Sequence, residues 1–145
     1  MIRIYADMVA DLFHYGHVEF LRQVSLLGDY VIVGINSDDE AEANKRRPVH
    51  SMEERMANVA VCEYVDEVIP NAPWIFDSTW IEKYDLDLVA HGDDYSVEKQ
   101  QLIYKRAIEM GIFRNVTYTK SISTTEIIRR RKEELAIPTC PSVNS

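Results

Sequence analysis

The sequence is poor in cysteine, in long apolar runs and in basic residues, and each shortage excludes a class of protein. Its 145 residues include only two cysteines, Cys62 and Cys140. That number is too small for a disulfide scaffold or a cysteine-rich zinc site, and it favours a reducing, cytoplasmic compartment. No apolar run approaches the roughly 20 residues that cross a bilayer. An acid at Asp7 and the lack of a long apolar region at the start predict that no signal peptide is present.

The charge is unfavourable for a general nucleic-acid binder, which is normally basic. Lys and Arg number 16 against 24 Asp and Glu, a formal net charge of −8. The charge is also unevenly spread, because residues 1–100 hold 8 basic and 20 acidic side chains whereas residues 101–145 hold 8 and 4. A basic end on an acidic protein predicts a local anion site rather than a long polyanion track.

Short apolar runs alternate with amphipathic stretches along the whole chain. The pattern predicts strands at 2–6, 30–35, 65–69, 86–90 and 115–119, with the third strand stopped by Pro70 and a loop at 71–74. Helices are predicted at 17–27, 52–63, 78–84 and 99–110, the last capped by Gly111, and a final one opens at Ser123. We therefore expect an α/β fold, a Rossmann-like parallel sheet of about five strands flanked by helices.

One domain is expected over residues 1–137, and residues 138–145 are expected to form a flexible tail that would suit a linker to a further domain. In a parallel sheet, ligands bind at the carboxyl ends of the strands. The loops that follow Asp7, Asn36, Ile69, His91 and Thr119 are therefore the places where function is expected.

Two histidines, His14 and His17, flank Gly16 at the first predicted strand–helix junction. The positive end of a helix favours phosphate, and a glycine lets a ligand approach the backbone. Two imidazoles at this position can donate hydrogen bonds to charge that develops on a phosphorus centre. The alternatives are a pair of metal ligands or two histidines of the surface.

A second anion site is predicted at the start of the last helix, where three hydroxyl residues precede Glu126; they are Ser123, Thr124 and Thr125. Simple capping of that helix by Ser123 is the alternative. A cationic segment, Lys45-Arg46-Arg47, follows the second strand, and Arg55 lies on the next helix. These side chains are either phosphate ligands or a solvated basic loop.

The fourth strand is followed by His91-Gly92-Asp93-Asp94, in which paired acids can hold Mg²⁺, a ribose or an acceptor group. The alternative is a common turn. Trp74 either lines the pocket or belongs to the core. The run 129–132 is expected to be a solvated helix face.

From Ile4 to about Arg131 the chain resembles the cytidylyltransferase family, a branch of the His-x-Gly-His nucleotidyltransferases. The segments that carry the resemblance are, in order, 11–17, 28–30, 51–55, 64–69, 71–74, 91–94 and 122–125. The family implies transfer of CMP from CTP to a small phosphorylated acceptor, with release of pyrophosphate. It also implies Mg²⁺ and a homodimer, with no nucleic-acid or membrane partner.

The resemblance assigns three groups of site residues and no metal ligand. The catalytic group is His14, His17 and Lys45. The nucleotide-binding group is Asp11, Gly16, Arg55, Gly92, Asp94, Ser123, Thr124 and Thr125. The acceptor-binding group is Asp7, Met8, Trp74, His91 and Tyr118.

The chain departs from the family pattern at several of these positions. Met8 and Ala10 stand where the family often has a glycine and an aromatic residue, and Tyr118 stands where it usually has an arginine. The glycine that the family usually has at position 121 is replaced by Ser121. Gly92 stands where the phosphocholine enzymes use an acidic residue to bind the quaternary amine.

Met8 and Tyr118 make the chain similar to the phosphonate-pathway enzymes of fosfomycin-type antibiotic biosynthesis. The acceptor expected on that ground is 2-hydroxyethylphosphonate, with a fusion to a phosphoenolpyruvate mutase domain. Phosphoethanolamine and glycerol 3-phosphate are the alternatives. An ATP-using adenylyltransferase and a non-catalytic nucleotide-binding domain are further ones.

Overall fold

The structure is a computed structural model, and it describes residues 1–117. The predictions made for Tyr118, Ser123, Thr124 and Thr125, and the domain boundary at residue 137, lie outside the described residues.

Five parallel strands form one sheet in the order β3-β2-β1-β4-β5, with helices along the chain between them. The strands are β1 (Arg3–Met8), β2 (Tyr30–Asn36), β3 (Glu67–Ala72), β4 (Leu88–Gly92) and β5 (Phe113–Val116). The helices are α1 (Tyr15–Ser25), α2 (Asp38–Asn44), α3 (Met52–Ala60), α4 (Thr79–Lys83), α5 (Val97–Ile103) and α6 (Lys105–Glu109). The predicted fold class is confirmed.

Strand β2 is a nearly continuous apolar run, and the middle of β1 is buried as well, because both faces of the sheet are covered. Successive residues of β1 point to opposite faces, so Ile4 belongs to one buried cluster and Tyr5 to the other. Helix α1 packs Leu21 and Val24, both fully buried, into the first cluster. The sheet therefore separates two cores, and its carboxyl edge is left for the site.

The third strand does not stop at Pro70, and the expected loop at 71–74 is wrong for Asn71 and Ala72. Strand β3 lies at the edge of the sheet, where a proline without an N–H is tolerated. Gly34 pairs with Ile69 and Asn36 with Ala72, so two residues of β3 oppose one of β2. This bulge accommodates Pro70 together with Asn71, whose φ is 57°.

The helices differ from the predictions in three places. Helix α2 was not predicted, because its sequence is short and largely acidic, with little apolar periodicity. The single helix expected over 99–110 is two helices that meet at Tyr104, whose φ of −117° leaves the helical range. Helix α1 begins at Tyr15, before the predicted start, because His14 serves as its N-cap.

The strand order places a topological switch between β1 and β4, since the chain leaves β1 toward β2 on one side and β4 toward β5 on the other. Such a switch opens a crevice at the carboxyl ends of the strands. Within residues 1–117, no helix has the length and apolar character needed to span a membrane.

Candidate active site

A cavity of about 500 Å³ opens at the carboxyl ends of β1, β2 and β4, where the strand order predicts a crevice. It brings together many residues that the sequence singled out. They are Asp7, Met8, Asp11, His14, His17, Lys45, Trp74, His91, Gly92 and Asp94.

His14 and His17 form a reciprocal pair at the start of α1. The Nδ1 atom of His14 accepts a hydrogen bond from the Gly16 backbone N–H at 2.9 Å, and the Nδ1 atom of His17 accepts one from the His14 backbone N–H at 3.1 Å. A nitrogen that accepts cannot carry the proton of a neutral imidazole. Both rings therefore carry it on Nε2, as a donor available to a ligand.

Both imidazoles are neutral at physiological pH. Burial lowers the pKa of His17 to about 3, and the neighbouring His14 acts in the same direction. Burial also lowers the pKa of His14. Two neutral Nε2–H donors at a helix N-terminus suit an anion whose charge increases during reaction.

The loop between β1 and α1 is held in an unusual conformation. Ala10 and Leu12 have φ of 58° and 49°, a region that costs roughly 1–2 kcal/mol for a residue with a side chain. Asp11, between them, accepts hydrogen bonds from the backbone N–H of Val49 and of His50, and from Arg46 Nη1 at 2.9 Å. Asp11 therefore ties the histidine loop to the segment that follows Lys45.

The pKa of Asp11 shows how firmly this carboxylate is held. Burial acts to raise the pKa, but the hydrogen bonds from the Val49 and His50 amides and from Arg46 outweigh it and hold the pKa below its usual value. The carboxylate is ionised at neutral pH, and each of its oxygens accepts a hydrogen bond from a backbone amide of the segment that follows Lys45.

Lys45 follows α2, and its ammonium lies 5.8 Å from the ring centroid of Trp74, a cation–π distance. Desolvation lowers the pKa of Lys45, although the residue as a whole is exposed. Trp74 is held by its backbone N–H, which donates to Glu40 Oε1 at 3.3 Å. The cavity thus contains a cation beside an aromatic wall.

Asp7, at the end of β1, is a buried carboxyl with an open hydrogen-bonding position. Tyr104 donates its hydroxyl proton to Asp7 Oδ1 at 2.6 Å. The other oxygen, Oδ2, is buried and has no hydrogen-bond partner among residues 1–117. Burial raises the pKa of Asp7 to about 7, against the lowering effect of the Tyr104 hydrogen bond. A cation with N–H donors would satisfy this oxygen and favour the ionised form.

His91, on β4, faces the same end of the cavity. Its Nδ1 lies 2.9 Å from the Tyr104 hydroxyl, and its Nε2 lies 3.8 Å from Asp94 Oδ1. The Tyr95 ring lies over the imidazole with centroids 4.3 Å apart. Burial lowers the pKa of His91 to about 4, although Asp94 acts in the opposite direction.

Two predicted nucleotide-binding residues do not line the cavity. Gly16 is buried in α1, and its N–H serves His14. Arg55 is fully buried, and its guanidinium donates to the carbonyls of Val9, Asn36 and His50 and to the Asp38 carboxylate. Arg55 therefore holds the ends of β1 and β2 together and acts on the cavity through them.

Asn36, Tyr95 and Tyr104 also line the cavity and were missed at the level of sequence. Asn36 ends β2 and donates to the carbonyls of Ala72 and Pro73, so a polar residue that closes an apolar strand was the available signal. Tyr104 interrupts a predicted helix and carries no local signal of this role.

No group of three His, Cys, Asp or Glu side chains in residues 1–117 is arranged to hold a metal ion. Mg²⁺ commonly binds one or two carboxylates together with substrate phosphates. Asp94, whose side chain is 38% exposed in the cavity, fits such a shared role.

Known proteins resemble this chain in both sequence and fold. The family model described as Cytidylyltransferase-like matches residues 6–130. The chain is 43% identical over 129 residues to a probable ethanolamine-phosphate cytidylyltransferase of Encephalitozoon cuniculi, covering 88% of this chain and 40% of that protein. It is 42% identical over 134 residues to the ethanolamine-phosphate cytidylyltransferase of Arabidopsis thaliana, covering 88% of this chain and 32% of that protein.

The human choline-phosphate cytidylyltransferase A is 40% identical over 132 residues, covering 89% of this chain and 36% of that protein. The chain thus spans two-fifths or less of the length of these relatives. A solved structure of a lipopolysaccharide core biosynthesis protein from Thermoplasma volcanium superimposes with a TM-score of 0.70 at 24% identity, covering 83% of this chain and 99% of that chain, and supports the fold. The chain belongs to the Cytidylyltransferase-like family.

Proposed function

We propose that the protein is a CTP-dependent cytidylyltransferase that transfers CMP to phosphoethanolamine. The observation that carries the transferase reaction is the pair of Nε2–H donors of His14 and His17, fixed by their Nδ1 contacts. A phosphate oxygen of the acceptor attacks the α-phosphorus of CTP, and the bond from that phosphorus to the bridging oxygen of the β-phosphate breaks. The products are CDP-ethanolamine and pyrophosphate.

The protein contributes positioning and charge stabilisation to this step. His14 and His17 donate to the phosphoryl oxygens on which charge increases. Lys45 brings the acceptor phosphate and the triphosphate together, because its flexible ammonium can bridge two anions. Asp11 positions the two histidines relative to Lys45, because its hydrogen bonds join the histidine loop to the segment that follows Lys45. Ser123, Thr124 and Thr125 are proposed to bind the triphosphate.

The acceptor is assigned from the charge of the cavity near β1 and β4. Asp7 Oδ2 and the Asp94 carboxylate present hydrogen-bond acceptors and negative charge there, on either side of the His91 ring. The ammonium of phosphoethanolamine matches these groups, whereas 2-hydroxyethylphosphonate and glycerol 3-phosphate have no cation to offer. Gly92 supplies no carboxylate for a quaternary amine.

The names of the relatives also favour phosphoethanolamine over the phosphonate acceptor expected from Met8 and Tyr118. Phosphocholine is the second candidate acceptor, since the choline-phosphate enzyme is 40% identical. The names of the cytidylyltransferase relatives support CTP rather than ATP as the nucleotide.

Mg²⁺ is proposed to enter with CTP, bound to its phosphates. When present, it neutralises charge on the triphosphate and on the departing pyrophosphate. Among residues 1–117, Asp94 is the carboxylate proposed to bind this Mg²⁺ together with the phosphates. We also propose a homodimer, a cytoplasmic location, one domain over 1–137 and fusion to a further catalytic domain. Sedimentation measurements would test the homodimer.

The test is pyrophosphate release with Mg²⁺, crossing CTP and ATP with phosphoethanolamine, phosphocholine, 2-hydroxyethylphosphonate and glycerol 3-phosphate. We expect turnover with CTP and phosphoethanolamine, at a kcat/KM above that of the other pairs. Preference for the phosphonate would restore the alternative acceptor. Binding of CTP without turnover on any acceptor would favour a non-catalytic nucleotide-binding domain.

A further inference from the structure

Gln100, on α5, belongs to none of the sequence motifs, yet its side chain joins the segment after β4 to strand β5. The residue is buried, with 8% of its surface exposed. Its Nε2 donates to the Tyr95 backbone carbonyl at 3.3 Å and to Asn115 Oδ1 at 2.7 Å. Its Oε1 accepts from Asn115 Nδ2 at 3.4 Å. Three chain segments therefore meet at one amide group.

The Tyr95 carbonyl determines which way the Gln100 amide points. A carbonyl oxygen only accepts, so the Nε2 side of Gln100 must face it. The Asn115 amide then matches the rest of the group, with its oxygen on Nε2 and its nitrogen on Oε1. Both polar atoms of the Gln100 side chain are paired, and a buried polar network that is fully paired is rigid.

The short segment 93–95 is fastened to β5 at both of its ends. At one end the Asp93 backbone N–H donates to the Val116 carbonyl at 3.0 Å. At the other end the Tyr95 carbonyl accepts from Gln100. Asp94 lies between these two anchors, and its carboxylate lines the cavity. The carboxylate proposed to bind Mg²⁺ with the nucleotide is therefore held from both sides.

We propose that Gln100 is a positioning residue that holds segment 93–95 against β5 and thereby fixes the Asp94 carboxylate for the Mg²⁺-bound nucleotide. Gln100 itself does not line the cavity, so it acts through the Tyr95 carbonyl and Asn115. The inference rests on the proposed function for the identity of the ligand. Groups that orient metal ligands commonly contribute about 10–100-fold to metal affinity.

The first experiment measures hydrogen exchange of the Asp93 backbone amide in the full chain, without nucleotide or metal. Gln100→Met keeps a side chain of similar length and removes its hydrogen bonds. Gln101→Met is the matched control, because Gln101 is an exposed neighbour on the same helix. We expect exchange at Asp93 to become about fivefold faster in Gln100→Met, the usual effect of losing one hydrogen bond, and to be unchanged in Gln101→Met.

Two results of this experiment would overturn the proposal. One is equal exchange at Asp93 in the wild type and in Gln100→Met. The other is an equal acceleration at Val33, which is fully buried in the central strand β2, because it would show general destabilisation instead of a local release.

The second experiment measures calorimetric binding of CTP with Mg²⁺ in the absence of an acceptor. We expect Gln100→Met to weaken binding by about tenfold and Gln101→Met to leave it unchanged. In an Asp94→Asn background, Gln100→Met should cause no further loss, because Gln100 acts through that carboxylate. The same tenfold loss in that background would overturn the inference.

Asn115→Ala is a second variant for both measurements, because it removes the partner of Gln100 from the exposed side without changing the buried residue. We expect changes in the same directions as in Gln100→Met but smaller, since Gln100 keeps its bond to the Tyr95 carbonyl. No change in either measurement would overturn the role of the link to β5.

The binding outcomes separate this inference from the proposed function. If the wild type binds CTP and Gln100→Met binds it equally well, the inference fails while the proposed function stands. If the wild type binds no nucleoside triphosphate, both fail. If ATP binds in place of CTP, the same variants are compared with ATP, and a loss confined to Gln100→Met and Asn115→Ala would support the inference although the proposed nucleotide is wrong.

Discussion

The position of the proton on each imidazole decides what the cavity can do. At His14 and His17 the Nδ1 atoms accept from backbone amides, so both side chains donate from Nε2. The Nδ1 atom of His91 lies 2.9 Å from the Tyr104 hydroxyl, a contact in which either group can be the donor. The cavity thus presents two fixed imidazole donors at the place where phosphate is expected.

His14→Ala and His17→Ala are each expected to lower kcat by about 10²–10³, the usual effect of removing a donor to the transition state. Steady-state pyrophosphate release checks this. His50→Gln is the matched control, because the His50 side chain does not line the cavity. A loss of tenfold or less in both alanine variants would contradict the catalytic assignment.

Asp7 makes stability depend on pH, because burial raises its pKa from 3.8 to about 7. Between these values the folded state binds more protons than the unfolded state, so stability falls as pH rises through this range. Asp7→Asn removes the effect, and we expect it to be more favourable for stability at pH 8 than at pH 5 by roughly 1–3 kcal/mol.

Urea unfolding of wild type and Asp7→Asn at both pH values measures this difference. The exposed Asp39→Asn is the control for loss of a negative charge. An Asp7→Asn effect that is equal at both pH values would show that the carboxyl is not desolvated as the structure indicates.

The Tyr5 side chain of β1 packs on Gly34 of β2 in a contact too close for a larger residue. A Cβ on Gly34 would lie 2.2 Å from Tyr5 Oη and 2.9 Å from Ala72 Cβ. Gly111, at the end of α6, has open space around it but a φ of 74°. The two glycines therefore serve different elements for different reasons, one steric and one conformational.

Gly34→Ala is expected to lower the free energy of unfolding by roughly 1–3 kcal/mol through overpacking. Adding Tyr5→Phe should recover part of the loss, because it removes the nearest atom. Gly111→Ala should cost about 1 kcal/mol from its φ, without rescue by Tyr5→Phe. Urea unfolding of the single and double variants measures these effects. An equal response of the Gly34 and Gly111 variants to Tyr5→Phe would contradict this account.

Arg55 joins several chain segments at the carboxyl ends of β1 and β2. Its fully buried guanidinium contacts the carbonyls that follow β1 and end β2, the segment before α3, and Asp38 at the start of α2. No single helix or strand contains all the hydrogen-bond partners of Arg55, since each partner comes from a different segment of the chain.

Arg55→Ala is expected to lower the free energy of unfolding by about 3–5 kcal/mol, because it leaves the carbonyls of Val9 and Asn36 without their donor and leaves a fully buried side chain's space empty. Arg55→Lys should lower the free energy of unfolding by a smaller amount, since an ammonium keeps the charge but cannot reproduce the planar fork of donors. Arg47→Ala is the control: its pair with Glu42 is exposed and is worth about 0–1 kcal/mol. Equal effects of Arg47→Ala and Arg55→Ala on urea unfolding would contradict the integrating role.

The sequence by itself determined the α/β order, the two histidines at a helix start and the family relationship. Those signals are local: periodicity over a few residues, capping patterns and ordered motifs read directly from the chain. Element ends were less certain, because the passage of β3 through Pro70 depends on its place at the sheet edge.

Only the tertiary structure decided which of these residues meet and in what state. It removed Arg55 from the cavity wall and placed Tyr104 against Asp7, 97 residues away in the chain. Such contacts depend on strand order, on the break between α5 and α6, and on the burial that sets each pKa. These are long-range properties that no local pattern of residues contains.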